Sequence, residues 1–132
     1  MSENTKNAAV LSMGQYHFVF CPRYRRKVFL IDGLETRFKE LVAQICGQNG
    51  IGILDLECRA DYCHLFVSAP PELGPADIMR LIKRETGPEL KREYLRGKCP
   101  QLWTRGYLVS TAAALPSELV SKYVSSQKTR GG

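Results

Sequence analysis

Two pairs of side chains in this sequence have the types and spacing to do chemistry on a phosphodiester: Tyr62 with His64, and Tyr123 with Gln127. Tyr62 and His64 lie two residues apart in ECRADYCHLFVSAPP, residues 57 to 71, a run that reads as a strand. Residues i and i+2 of a strand share a face. Tyr62, His64, Phe66 and Ser68 therefore point one way, and Cys63, Leu65, Val67 and Ala69 the other. The second set is the continuous apolar row and takes the core, which leaves the phenol and the imidazole where a substrate can reach them. Tyr123 and Gln127 stand one i, i+4 step apart in the last helical pattern and are neighbours on it. A tyrosine hydroxyl can attack a phosphodiester and become joined to it when cations or a metal stabilise the charge that builds on the phosphate. Each pair also has a plain structural reading, because Tyr and His pack well as amphipathic residues and a helix tyrosine followed by glutamine is a common surface.

The charge distribution suits the same class of partner. Lys and Arg number 19 against 13 Asp and Glu, a net charge of +6. Arg23, Arg25, Arg26 and Lys27 crowd around Tyr24, while Arg80, Lys83, Arg84, Lys91, Arg92, Arg96 and Lys98 populate the middle third. Basic clusters with aromatic neighbours match a phosphate backbone with stacking bases, although Glu85, Glu89 and Glu93 are equally placed to be i, i+4 partners of the second cluster. The 5 cysteines, Cys21, Cys46, Cys58, Cys63 and Cys99, are odd in number and lack a C-x-x-C, against both a disulfide framework and a zinc ribbon. Zinc at Cys58, Cys63 and His64 lacks an evident fourth ligand. No apolar run approaches the roughly 20 residues that span a bilayer, and MSENTKNAAV lacks the basic and apolar regions of a signal peptide. A cytoplasmic protein is expected.

The elements that must position these groups follow from periodicity. At 132 residues the chain is expected to be one domain, 13–132, after a polar frayed segment, 1–12. GQYHFVFC, residues 14 to 21, reads as a strand stopped by Pro22, and it carries His17, which a neighbouring strand could bring near His64. Leu34, Phe38, Leu41, Val42 and Ile45 fall at helical spacing over 34–48, and Gly50 follows where a left-handed cap would sit. Residues 51 to 58 read as a strand with Leu54, Leu56 and Cys58 on one face, joined by Arg59, Ala60 and Asp61 to the Tyr62 strand as a hairpin. A helix is expected from Pro75 through Ile82, interrupted at Gly87 and Pro88. Leu102 to Ser110 reads as a fourth strand with Trp103, Arg105, Tyr107 and Val109 on one face. Pro116 opens a last helix that docks through Val120 and Val124. That order is α+β: an antiparallel sheet with helices on one face, most simply ferredoxin-like, closed by a C-terminal helix carrying Tyr123.

Four segments, YHFVFCPRYRRKVF (16–29), ECRADYCHLFVSAPP (57–71), LWTRGYLVST (102–111) and KYVSSQ (122–127), resemble the IS200-like transposases, the single-tyrosine HUH transposases of small insertion sequences. The resemblance runs from about residue 14 to 128 with the motifs in order. It implies a ferredoxin-like or RRM-like domain that dimerises by joining its sheets. The implied activity is cutting and rejoining single-stranded DNA at hairpin-marked ends, with the tyrosine linked to a 5′ phosphate. By the same resemblance, Tyr123 is the nucleophile, and His64 and Gln127 are ligands of a divalent metal, Mg or Mn. Arg23, Arg25, Arg26, Lys27, Lys83, Arg84 and Arg105 are the DNA-binding residues it implies. Tyr62 departs from the pattern, standing where the first of two metal histidines belongs. A neutral phenol, with a pKa of about 10, is a poor ligand for a hard cation, so activity is weakened or lost. The alternative is a cleavage-deficient protein that still binds hairpin DNA; an RNA-binding RRM domain ranks below both.

Overall fold

The computed structural model describes residues 13–96 and 100–129, so that the N-terminal segment 1–12, Lys98 and Cys99 fall outside them. Among the described residues four strands and three α-helices follow in the order β1 (Gly14–Phe20), α1 (Leu34–Gln48), β2 (Gly52–Cys58), β3 (Cys63–Ala69), α2 (Pro75–Leu90), β4 (Leu108–Ser110) and α3 (Ser117–Ser125). The strands form one antiparallel sheet in the order β2-β3-β1-β4. This is the expected ferredoxin-like α+β arrangement with one helix added at the end.

Alternation sorts the sheet into two faces. Phe18 and Phe20 from β1, with Cys63, Leu65, Val67 and Ala69 from β3, are buried in a core closed by Phe38 and Val42 of α1 and Ile78 and Ile82 of α2. The opposite face carries His17 and Val19 on β1 and His64 and Phe66 on β3. There Val19 and Cys21 form a second, smaller cluster with Val124 of α3. The helices α1 and α2 thus cover one face and α3 the other. Helix α1 spans the expected residues, and Gly50 (φ 68°) follows it in the left-handed conformation that favours glycine. Among the described residues no helix is long and apolar enough to cross a membrane.

Four local expectations are corrected. Leu54 is an unpaired bulge residue: the ladder jumps from Ile53↔Val67 to Asp55↔Phe66. The bulge turns Ile53 toward the core and leaves Leu54 half exposed. Helix α2 is not broken by Gly87 and Pro88 but runs through them, and a five-residue π-helical turn, Lys91–Leu95, follows directly. Gly87 packs against Trp103, where a Cβ would meet the indole Cδ1 at 3.4 Å, about van der Waals contact. The strand expected over 102–110 is interrupted: Trp103 makes an antiparallel bridge to Pro22 and Leu108–Ser110 pairs with β1, while between them the carbonyls of Thr104, Arg105 and Gly106 accept from the Lys83 ammonium. Alternation fails with it, and Trp103 is buried while Arg105 and Val109 are exposed. Lastly, Tyr62 falls one residue before β3, in the hairpin connection, where its carbonyl accepts from the Arg59 N–H at 2.9 Å.

Candidate active site

The sheet face under α3 gathers the histidines. β1 pairs with β3 so that Val19 lies opposite His64 and His17 opposite Phe66. The diagonal brings the two imidazoles together, with Nδ1 of His17 2.9 Å from Nε2 of His64. The His17 ring is stacked on Phe66 with centroids 3.8 Å apart, and its Nε2 lies 3.4 Å from the Ala113 carbonyl. Only 6% of His17 is exposed, whereas His64 is half-buried. Glu57 stands directly across from His64 on β2 and Asp55 across from Phe66. Burial first, and then the His17 ring, hold His64 below the ordinary histidine value, with Asp55 and Glu57 pulling the other way.

Tyr123 and Tyr62 sit on the same face, both packed against the Val19, Cys21 and Val124 cluster. The Tyr123 hydroxyl is buried and has no hydrogen-bond partner among the described residues. It faces the loop before β4, 3.8 Å from where a Gly106 Cβ would sit. Burial pushes its pKa up to about 12, with the Cys21 thiol acting in the same direction and the nearby Thr104 hydroxyl, outside hydrogen-bond geometry, acting against it. Helix α3 docks through Val124, its one buried residue, with Val120 and Tyr123 partly buried against the same cluster, and the chain leading to it is exposed from Thr111 to Ala114. Burying one valine contributes about 1.5–3 kcal/mol.

Gln127 is just past the end of α3. Its amide donates to the Tyr123 carbonyl and the Ser126 hydroxyl, both at 3.2 Å. It lines a cleft of about 690 Å³ with Arg23, Tyr24, Trp103, Arg105 and Lys128. His64 is not among the lining residues of that cleft. Nor do three His, Cys, Asp or Glu side chains converge anywhere among the described residues. The donor that meets His64 is His17, while Gln127 turns its amide to its own helix end.

The basic residues divide by what already holds them. Arg25 donates through Nε and Nη2 to Asp61, both at 3.2 Å, in a short turn where Tyr24 and Arg25 take positive φ of 60° and 51°. Lys83 gives its ammonium to the Thr104, Arg105 and Gly106 carbonyls at 2.8, 3.3 and 2.8 Å, and sits over the Phe20 and Tyr107 rings. Burial pushes Lys83 down to about 8. Arg84 pairs with the exposed Glu85. Lys83, Arg84 and Arg105, with Arg80, Lys91 and Trp103, line a second cleft of about 550 Å³. Pro100, Gln101, Trp103, Thr104 and Arg105 border both clefts. Neither the Arg25 to Asp61 pair nor the carbonyl-bound Lys83 is evident from the sequence, because both join segments far apart in the chain. The meeting of His17 and His64 is signalled only by their shared strand faces.

The comparisons agree with this architecture. The ISDra2 transposase TnpA of Deinococcus radiodurans is 28% identical over 120 residues, covering 86% of this chain and 83% of that protein. The transposase for insertion sequence element IS200 of Salmonella typhimurium is 28% identical over 101 residues, 74% of this chain and 66% of its own length. A crystal structure described as a transposase from Deinococcus radiodurans superposes with a TM-score of 0.81 at 25% identity, covering 91% of this chain and 95% of that one. A REP-associated tyrosine transposase bound to a REP hairpin shares the fold, with a TM-score of 0.57 at 9% identity over 85% of this chain and 64% of that one. The model of the family described as "Transposase IS200 like" matches residues 10–127. With a family match over nearly its whole length, on a fold that sets a tyrosine helix against a histidine-bearing sheet face, the chain belongs to the IS200-like transposases.

Proposed function

We propose that this transposase cleaves and rejoins single-stranded DNA at hairpin-marked element ends through a covalent phosphotyrosine at Tyr123. The observation that carries the reading is the packing of α3, with Tyr123 on it, against the sheet face that presents His64. In cleavage the Tyr123 oxygen attacks phosphorus, the bond to the 3′ oxygen breaks, and the departing 3′-hydroxyl takes up a proton. Tyr123 then holds the 5′ phosphate. In rejoining, a 3′-hydroxyl attacks the phosphotyrosine and the proton returns to the phenol. A bound divalent cation supplies Lewis acidity toward the phosphate. Arg23 and Arg105, in the cleft that Gln127 borders, neutralise the strand.

The buried hydroxyl is the resting arrangement in this reading. A phenol with a pKa of about 12 and no partner is a poor nucleophile, so α3 lifts before attack. The exposed lead from Thr111 to Ala114, and a contact made on the helix by Val120, Tyr123 and Val124, limit the cost of that movement. The reading includes a homodimer, with the edge strand β4 available to a second copy and α3 able to serve either subunit.

A second reading, a hairpin-binding protein that no longer cleaves, is favoured by Tyr62. Its ring is spent on packing beneath α3, in the position where a metal histidine is expected. One experiment separates the two. Hairpin-bearing single-stranded DNA, end-labelled and incubated with Mg or Mn, gives a covalent adduct with the wild-type chain and none with Tyr123→Phe. An adduct that persists in Tyr123→Phe overturns the nucleophile assignment. Binding without any adduct, rescued by Tyr62→His, establishes the second reading.

A further inference from the structure

We propose that His17 is a metal ligand in this chain: with His64 it forms a two-imidazole site, bridging β1 and β3, for a late first-row divalent cation. This deepens the reading above and rests on it for the presence of a metal at His64.

Three observations converge. First, the nitrogens are spaced for the task. With metal–nitrogen bonds of about 2.0–2.1 Å at a tetrahedral centre, two ligands stand about 3.4 Å apart, so the 2.9 Å between His17 Nδ1 and His64 Nε2 has to open by only about half an ångström. Second, the tautomer that ligation needs has a partner ready for it. The tautomer that donates Nε2–H to the Ala113 carbonyl leaves the Nδ1 lone pair toward His64. A ligating imidazole is commonly oriented this way, by donating its other N–H to a carbonyl. Third, the ring is preorganised, stacked parallel on Phe66 with a 2° interplanar angle and almost wholly buried. Tyr62, by contrast, offers a phenol engaged in packing.

Proton accounting is simple. Without metal, His64 Nε2–H donates to His17 Nδ1. On binding, His64 shifts its proton to Nδ1, and both facing lone pairs go to the cation with no net proton released. Two neutral nitrogens, and no third His, Cys, Asp or Glu converging with them, leave the remaining positions to water and a phosphate oxygen. Nitrogen donors favour zinc, copper or nickel over magnesium.

The chain holds 2 histidines, so ring-nitrogen NMR sees only these two. Wild-type protein is titrated with Zn²⁺ alone, without DNA. The expected result is that His17 Nδ1 and His64 Nε2 shift together along one binding curve. In His17→Phe, which keeps a ring on Phe66, the His64 curve moves to at least tenfold higher Zn²⁺. If His64 Nε2 shifts while His17 Nδ1 stays in place, His17 is not a ligand although the metal at His64 stands. If neither moves, the metal reading of His64 falls as well. The wild-type titration decides the matter even if His17→Phe folds poorly.

Discussion

Removing the Tyr123 hydroxyl should stabilise the protein. That oxygen is buried without a partner, and a buried polar group left unsatisfied costs about 1–3 kcal/mol. Tyr123→Phe keeps the ring among Val19, Cys21 and Val124 and deletes only the unsatisfied atom, so a gain of about 1–2 kcal/mol is expected. With a urea slope of about 2 kcal/mol/M, the unfolding midpoint rises by roughly 0.5–1 M. The pH dependence provides an internal check. The folded phenol is raised to about 12 from 10.0. Between those values the unfolded chain has already lost its proton while the folded chain keeps it, so this group's contribution to stability is present below pH 10 and lost as pH rises through 12. Tyr123→Phe removes that decline. Urea melts at pH 7, repeated at pH 9 and above, test both parts. A midpoint that falls at pH 7 would mean that the hydroxyl has a partner in solution, and the resting arrangement of α3 described above would be wrong.

Other consequences can be measured in the same preparations. Trp103 Nε1 donates to the Thr86 hydroxyl at 2.9 Å in a fully buried setting, and that hydroxyl donates to the Ile82 carbonyl. Thr86→Val strands the indole N–H, and a loss of about 1–3 kcal/mol in urea melts is expected; an unchanged midpoint refutes the contact. Lys83→Met keeps the stem over Phe20 and Tyr107 but drops three carbonyl bonds, so backbone N–H groups around Arg105 should exchange faster with solvent at pH 7. Lys83 is depressed to about 8 from 10.5. In that window the unfolded chain binds the extra proton, so stability rises with pH in the wild type and the rise is absent in Lys83→Met. Asp61→Asn releases Arg25 from its carboxylate; single-stranded DNA should then bind a few-fold tighter with a steeper salt dependence, the slope growing by up to about 1. Equal or weaker binding by filter assay would exclude Arg25 from the DNA surface.

The fold was legible because its apolar periods are clean. Leu34 to Ile45 repeat at helical spacing, Cys63 to Ala69 alternate, and Gly50, Pro75 and Pro116 punctuate the helices where their backbone chemistry predicts. Misreadings arose where a distant group overrides a local rule. Trp103 draws Gly87 close and the helix continues through Pro88. Lys83 occupies carbonyls between the Trp103 bridge and β4, and one extra residue in β2 exchanges the faces of Ile53 and Leu54. At the site, the shared face of Tyr62, His64 and Phe66 followed from strand geometry. The partnership of His64 with His17 did not, because register between β1 and β3 is a property of the assembled sheet. The orientation of Gln127 toward its own helix end was equally hidden.

The chain has 1 tryptophan, and its surroundings decide what light can report. Trp103 is ringed by Phe20, Phe29 and Phe38 on the side of the sheet away from α3. Its emission therefore follows melting of the main body, and it meets the last helix only across the cleft it shares with Gln127 and Lys128. A fluorophore on an exposed α3 position such as Lys122 would report directly when the nucleophile leaves its berth.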